Sequence, residues 1–296
     1  MSSRCLNSKE IKAQAMSLGF IACGLSKAEP VKEPFASQYL KRIQLGYYAG
    51  MSYMERNVEM RLYPELLHAG VKTIVSLALN YMPQTQQSAI CLYAQGEDYH
   101  EVMRKRMYML MKQKELTGRC FVDSAPVLER YWAWHSGVGT FCRNGLISVP
   151  GYGPTVFLGE LFLEQEADSY DSPQQPIALI NDKGWEKLCP ALTPEGLDAR
   201  LCQNYWTIEH KGSLPEDMLL KHTFYGCDRC MRACKEFSES HPTSDPSFQP
   251  SPELLLMNEH EWRTLSLEQF RELFRHSAVK RAKYEGLMRN IAHWKP

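Results

Sequence analysis

The sequence predicts an α/β (α+β) protein: a mixed-sheet domain over residues 1–164, a cysteine-bearing region over 165–240, and a C-terminal helical segment over 241–296 packing on the core. Three observations predict it. Short apolar runs of strand character alternate with helical periodicity through about residue 163. Residues 165–186 then turn polar and contain Pro173 and Pro176. Five of the 10 cysteines crowd between Cys189 and Cys234.

In chain order, Ser8 is positioned to cap a first helix over 9–18, which Gly19 ends. Residues 20–25 read as a short buried strand. The segment GYYAGMSYMERN at 46–57 is rich in glycine and aromatics, which suits a surface packed against a flat ligand and suits an aromatic-packed loop equally well. Residues 71–81 are a strand closed by Pro83. Residues 99–114 have helical periodicity, with Met103, Met107, Leu110 and Met111 on one stripe that reads as core. Residues 120–122 form a short strand ending in Asp123-Ser124. Pro126 opens the next helix at a first-turn position, and GVG at 137–139 ends it. Residues 155–163 are another strand. Residues 235–252 are rich in Ser and Pro and read as irregular, and Ser266 with Gln269 forms a capping box before a helix over 270–275.

Bulk composition narrows the function classes. With 296 residues, 44% hydrophobic and 23% charged, the chain has ample material for a core and none of the signature of extended disorder. A formal net charge of +0 provides no global field for nucleic acid, so any RNA contact needs a local basic patch. The N-terminus lacks a secretory h-region, and no apolar run approaches the ~18–20 residues of a membrane span. The expectation is a cytoplasmic protein.

The cysteines carry the sharpest signal. Cys227-x-x-Cys230-x-x-x-Cys234 can present paired thiolates to one metal or cluster from a tight turn, and Cys189-Pro190 supplies the Cys-Pro element of ferredoxin-like clusters. Thiolates from Cys189, Cys202, Cys227 and Cys230 would complete a cubane cluster. The same four residues suit a structural zinc site, and Cys227/Cys230 also has the spacing of a redox pair, without the usual strand before it.

Longer strings add a family. GMSYMERNVEMRLYPELL at 50–67, YAQGEDYHEVMRKR at 93–106, VDSAPVLER at 122–130, VFLGEL at 156–161, LDARLCQNYWTIEHKG at 197–212, FYGCDRC at 224–230 and FRELFRHSAVKRAKYEGLMRN at 270–290 together resemble the epoxyqueuosine reductase family. That family is related to reductive dehalogenases and uses cobalamin with iron–sulfur clusters. It reduces the epoxide of a modified guanosine in the tRNA anticodon loop to give queuosine. The resemblance implies a cobalamin-binding reductase domain followed by a ferredoxin-like iron–sulfur region. It implies Asp123 as proton donor, a role that calls for a raised pKa; taken alone, Asp123 reads as a helix cap before Pro126. It implies cobalamin contacts at Arg56, Asn144, Gln203 and Thr207, each an ordinary polar residue when taken singly.

Departures from the family pattern refine this. The family's CxxCxxCxxxCP is here Leu179, Asp182 and Trp185 followed by Cys189-Pro190, so three ligands of a first cluster are missing, of which Cys234 would be the fourth. Cys234 remains, followed by Lys235 in place of proline. The resemblance therefore implies one [4Fe-4S] cluster on Cys189, Cys202, Cys227 and Cys230, with Cys234 a leftover thiol. The family's GWIGKN becomes GTFCRN at 139–144, so Cys142-Arg143 stands where Gly-Lys is usual. Arg271, Arg275, Lys280, Arg281, Lys283 and Arg289 offer a basic surface for the tRNA anticodon stem-loop, and an external electron donor is implied. Two other readings stay open: a cobalamin-dependent reductase of another substrate, and a non-enzymatic cobalamin carrier.

Overall fold

The computed structural model describes residues 5–173 and 189–296; Leu179, Asp182 and Trp185 fall outside them. Its centre is a four-stranded sheet of β1 (Ala22–Lys27), β2 (Thr73–Asn80), β3 (Gly118–Phe121) and β4 (Val156–Leu163), in the order β1-β2-β4-β3. The sheet is antiparallel at every pairing, with Ala22 opposite Ala78, Thr73 opposite Leu163 and Phe121 opposite Glu160. The sequence suggested a mixed sheet. Strand–helix alternation shows that helices cover a sheet, but not the end from which each strand re-enters it.

Both faces of the sheet are covered. On one, Val75, Leu77, Leu79, Leu161 and Leu163 pack on α1 (Ser8–Ser17) and α3 (Tyr99–Gln113), through Ile11, Ala15, Met103, Met107 and Leu110. The methionine stripe is core, as its spacing predicts, and it lies so close that a Cβ on Gly159 would come within 2.9 Å of both Met103 and Met107. On the other face, Ile74 and Phe162 meet α2 (Phe35–Gln44) and α4 (Glu129–His135) through Tyr39, Tyr131 and Trp132. Burying each such side chain contributes about 1.5–3 kcal/mol.

Several boundaries differ from expectation. Asn7, not Ser8, caps α1, its side chain accepting the Glu10 amide; Ser8 instead pairs its hydroxyl with that of Ser169 at 2.7 Å. Helix α4 starts at Glu129 rather than at Pro126, because two successive tight turns, Ser124 N to Val122 O and Val127 N to Ala125 O, intervene. Asp123 therefore caps no helix. The capping box at Ser266 and Gln269 is present and starts α6 (Leu267–Leu273), and a second one at Asn258 and Glu261 starts α5 (Glu259–Arg263). The irregular stretch contains short turns of 3-10 helix at Lys235–Glu239 and Pro246–Phe248.

A second apolar cluster joins distant segments. Ile90, Cys91 and Ala94 pack with Phe224, Tyr225, Trp262, Phe274 and Val279, and with Leu287 and Ile291 of α7 (Lys283–Ala292). Among the described residues, no helix is long and apolar enough to cross a membrane.

Candidate active site and cysteine centre

Asp123 sits just beyond β3 in left-handed backbone, φ +55°. Its side chain is about half exposed, and its amide donates to Glu129 Oε1 at 2.5 Å. The start of α3 supplies its partner. Asp98 is the N-cap of α3, and its Oδ1 lies 2.7 Å from His100 Nδ1. The other ring nitrogen of His100, Nε2, lies 3.2 Å from Asp123 Oδ2. His100 rests on the Tyr99 ring with centroids 4.0 Å apart, and Tyr99 in turn stacks on Phe157 at 4.2 Å. One imidazole thus bridges two carboxylates and is held flat from one side.

Two cations from the C-terminal segment complete the site. Lys280 Nζ is 3.2 Å from Asp98 Oδ2 and 3.2 Å from Glu101 Oε1. Arg281 Nη1 is 3.9 Å from Asp123 Oδ2, while its Nη2 bonds Glu209 Oε1 at 2.8 Å. Of the six residues expected to form a basic surface, Lys280 and Arg281 are therefore committed to the carboxylates. Arg289 donates to the carbonyls of Trp206, His210 and Gly212. Arg271, Arg275 and Lys283 remain exposed.

These neighbours decide where the proton sits. Burial alone would raise the Asp123 carboxyl, but the hydrogen bond and charge of His100, followed by Arg281, outweigh it and hold the pKa below the usual value. Burial likewise opposes charge on His100, yet its hydrogen bonds to Asp123 and Asp98 lift it to about 9. The same partners, with Lys280, bring Asp98 down to about 2 against its own burial. Burial and then the Asp123 charge push Glu129 up to about 8. At neutral pH His100 carries the proton and Asp123 the negative charge. A histidine that carried no role in the sequence reading thus draws the Asp123 pKa down, where a proton donor calls for it to be raised.

The expected cofactor contacts separate. Asn144 is buried; its Oδ1 accepts from the Leu146 amide, and its Nδ2 has no partner. Arg56 is exposed, with a 3.4 Å contact to Ser52 Oγ. Gln203 and Thr207 meet: Thr207 Oγ1 donates to Gln203 O at 2.8 Å and accepts from Gly226 N at 3.0 Å. Gln203 Nε2 donates to Thr223 O at 2.9 Å and to Gly226 O at 3.2 Å. Thr207 has no exposed surface, and its hydroxyl pins the loop that precedes Cys227.

That loop needs Gly226, whose φ is +73° and whose Cβ would fall 2.1 Å from Cys91 Sγ. Beyond it, the thiols of Cys189, Cys202, Cys227 and Cys230 lie near enough to influence one another's ionisation. The Cys230 thiol hydrogen-bonds Cys189, and this, with burial opposing and the amides of Ala191 and Leu192 assisting, brings Cys189 down to about 6. Cys227 feels Cys202 and Cys189, and Cys230 feels all three others. A single tetrahedral zinc would hold four sulfurs within about 3.8 Å of one another, given a Zn–S bond of roughly 2.3 Å. Among the described residues, the group of such ligands lying mutually within 4.8 Å is instead Cys142, Cys234 and Glu236.

Comparison with known proteins shows what the whole chain is similar to. The family model described as "Epoxyqueuosine reductase QueG, DUF1730" matches residues 61–124. An epoxyqueuosine reductase of Cellulophaga algicola is 36% identical, covering 97% of this chain and 99% of its own length. One of Leadbetterella byssophila is 37% identical, covering 96% and 97%. A crystal structure of epoxyqueuosine reductase with an epoxyqueuosine-modified tRNA stem loop superposes with a TM-score of 0.85 at 25% identity, covering 96% of this chain and 79% of that one. The Bacillus subtilis enzyme, with its catalytic aspartate loop swung out of the active site, gives 0.83 at 25% identity over the same shares. With relatives this similar over nearly its whole length, the chain belongs to the epoxyqueuosine reductase family.

Proposed function

We propose that this protein is an oxidoreductase that reduces epoxyqueuosine in tRNA to queuosine, with Asp123 and His100 delivering the proton to the epoxide oxygen. The observation that carries this reading is the Asp98–His100–Asp123 array: a cationic imidazole with one carboxylate fixing Nδ1 and another, half exposed, on Nε2. Removing the epoxide oxygen takes two electrons and two protons and leaves an alkene and water. As the C–O bond breaks, the oxygen becomes basic, and a proton passes from His100 Nε2 by way of Asp123 Oδ2 to it. Asp98 stays ionised throughout and stabilises the imidazolium. The second proton reaches the leaving oxygen from solvent at the exposed edge of Asp123.

Arg56 and Asn144 are the residues we assign to cobalamin, the unpartnered Nδ2 of Asn144 matching the amide-rich rim of a corrin. Cys189, Cys202, Cys227 and Cys230 are assigned to one [4Fe-4S] cluster, on the chemistry of four thiols that influence one another. When bound, cobalamin supplies a strongly reducing cobalt centre and the cluster supplies electrons from an external donor. Gln203 and Thr207 support both sites indirectly, by holding the 223–226 loop. Arg271, Arg275 and Lys283 are free to meet tRNA phosphates.

The test is conversion of epoxyqueuosine-containing tRNA by the reconstituted, anaerobically reduced protein. Asp123→Asn is expected to lose roughly 10²–10⁴-fold in rate, the usual worth of a positioned acid. The wild-type rate is expected to fall as pH rises through about 9, where His100 gives up its proton, and His100→Gln is expected to abolish that limb. Wild-type rates from Asp123→Asn overturn the proposal, and a reduced wild-type protein that leaves the tRNA unconverted points to another substrate.

A further inference from the structure

Cys142 and Cys234 come from segments far apart in sequence, yet both are buried and meet side by side. Each is fixed by its own backbone. Cys142 closes a tight turn, its amide donating to Leu146 O at 2.7 Å and its carbonyl accepting from Gly145 N at 2.9 Å. Cys234 ends a helical turn, its amide donating to Met231 O and its carbonyl accepting from Phe237 N, each at 3.0 Å. Two residues on, Glu236 turns a carboxylate towards the pair, so that two sulfurs and one oxygen lie within 4.8 Å of one another. The carboxylate disfavours ionisation of both thiols. A disulfide has no use for such a neighbour. A cation seated between three acidic groups reverses the penalty and draws on all of them.

We propose that Cys142, Cys234 and Glu236 form a second metal site that binds one thiophilic divalent cation, zinc by preference. Two thiolates and a carboxylate make a three-ligand zinc set whose fourth position is left for water. Binding displaces two thiol protons, so affinity rises with pH. The Cys142 thiol already hydrogen-bonds Cys234, so the two sulfurs need little movement to share one cation. The Asn144 amide supports the Cys234 sulfur, so the cation would tie the 142–146 turn to the 231–239 segment. This site is distinct from the four-cysteine centre and stands whether or not the reductase reading holds.

The experiment is metal content of the full-length chain, purified and dialysed anaerobically with Zn²⁺, by native mass spectrometry beside its Cys142→Ser, Cys234→Ser and Glu236→Gln variants. A Cys227→Ser variant, which leaves these ligands intact, is run in parallel. The expected result is one zinc equivalent fewer in each serine variant than in wild type, weakened retention in Glu236→Gln, and retention of this zinc in Cys227→Ser. Substitution with Co²⁺ is expected to give thiolate-to-cobalt absorption that the serine variants reduce while circular dichroism stays native. Equal zinc in wild type, Cys142→Ser and Cys234→Ser overturns the proposal. So does an intact mass two daltons low, with both thiols protected from alkylation, since that is a disulfide.

Discussion

Glu160 stands in β4 with no exposed surface and neither carboxylate oxygen hydrogen-bonded. Burial, and then the nearby Glu129, raise its pKa well above the ordinary 4.5. The folded state therefore holds a proton that the unfolded chain gives up near 4.5. Stability from this group is complete below that pH and declines as pH rises towards the folded value. Glu129 behaves alike, with its window running from 4.5 to about 8. Glu160→Gln is expected to raise the melting temperature at pH 7–8 and to flatten its fall between pH 5 and 8; an unchanged pH profile would argue against a neutral Glu160. At this scale Asp123 could be singled out from the sequence, but the neighbours that set its charge could not. Asp98 and His100 lay in a stretch matched only as a string, and Asp-x-His at a helix start is as often a plain cap. What assigns the proton is the convergence of residues 98, 100, 123 and 281, which no local window contains.

Helix α3 and strands β2 and β4 were legible because each has a strong period and a sharp stop. The start of α4 was not, since Pro126 satisfies a first-turn rule that two preceding tight turns override. The π-helical turn Tyr205–Glu209 had no sequence signal. Its Thr207 is buried and holds the loop before Cys227 by accepting from the Gly226 amide. Thr207→Val keeps the shape and strands the Gly226 amide, which should cost about 1–3 kcal/mol. Hydrogen exchange at Gly226 is expected to accelerate while the amides of β2 keep their protection. Unchanged exchange at Gly226 would mean the loop is held by Gln203 alone.

Across the whole molecule, the sequence showed a strand-rich first half, a cysteine region and a helical end. It did not show how closely they interlock. Met231 and Phe248 lie in the cluster under the sheet, and Ala89, Ile90, Cys91 and Ala94 lie in the cluster of the C-terminal helices. Leu287, fully buried in that second cluster, is the test of this interdependence. Leu287→Ala is expected to destabilise by about 2–5 kcal/mol, and fluorescence and circular dichroism should still report one coincident transition in denaturant. Separated transitions would show that the helical end unfolds by itself.

The pairing of Lys280 and Arg281 with Asp98 and Asp123 has a consequence for synthesis on the ribosome. Both cations follow Asp123 by more than 150 residues, so the carboxylates at 98 and 123 emerge long before the charges that balance them. A nascent chain can fold its sheet early, but these carboxylates are balanced only when residues 280 and 281 leave the exit tunnel. Translation thus withholds the settled form of this charge array until the helical segment that carries both cations has been made.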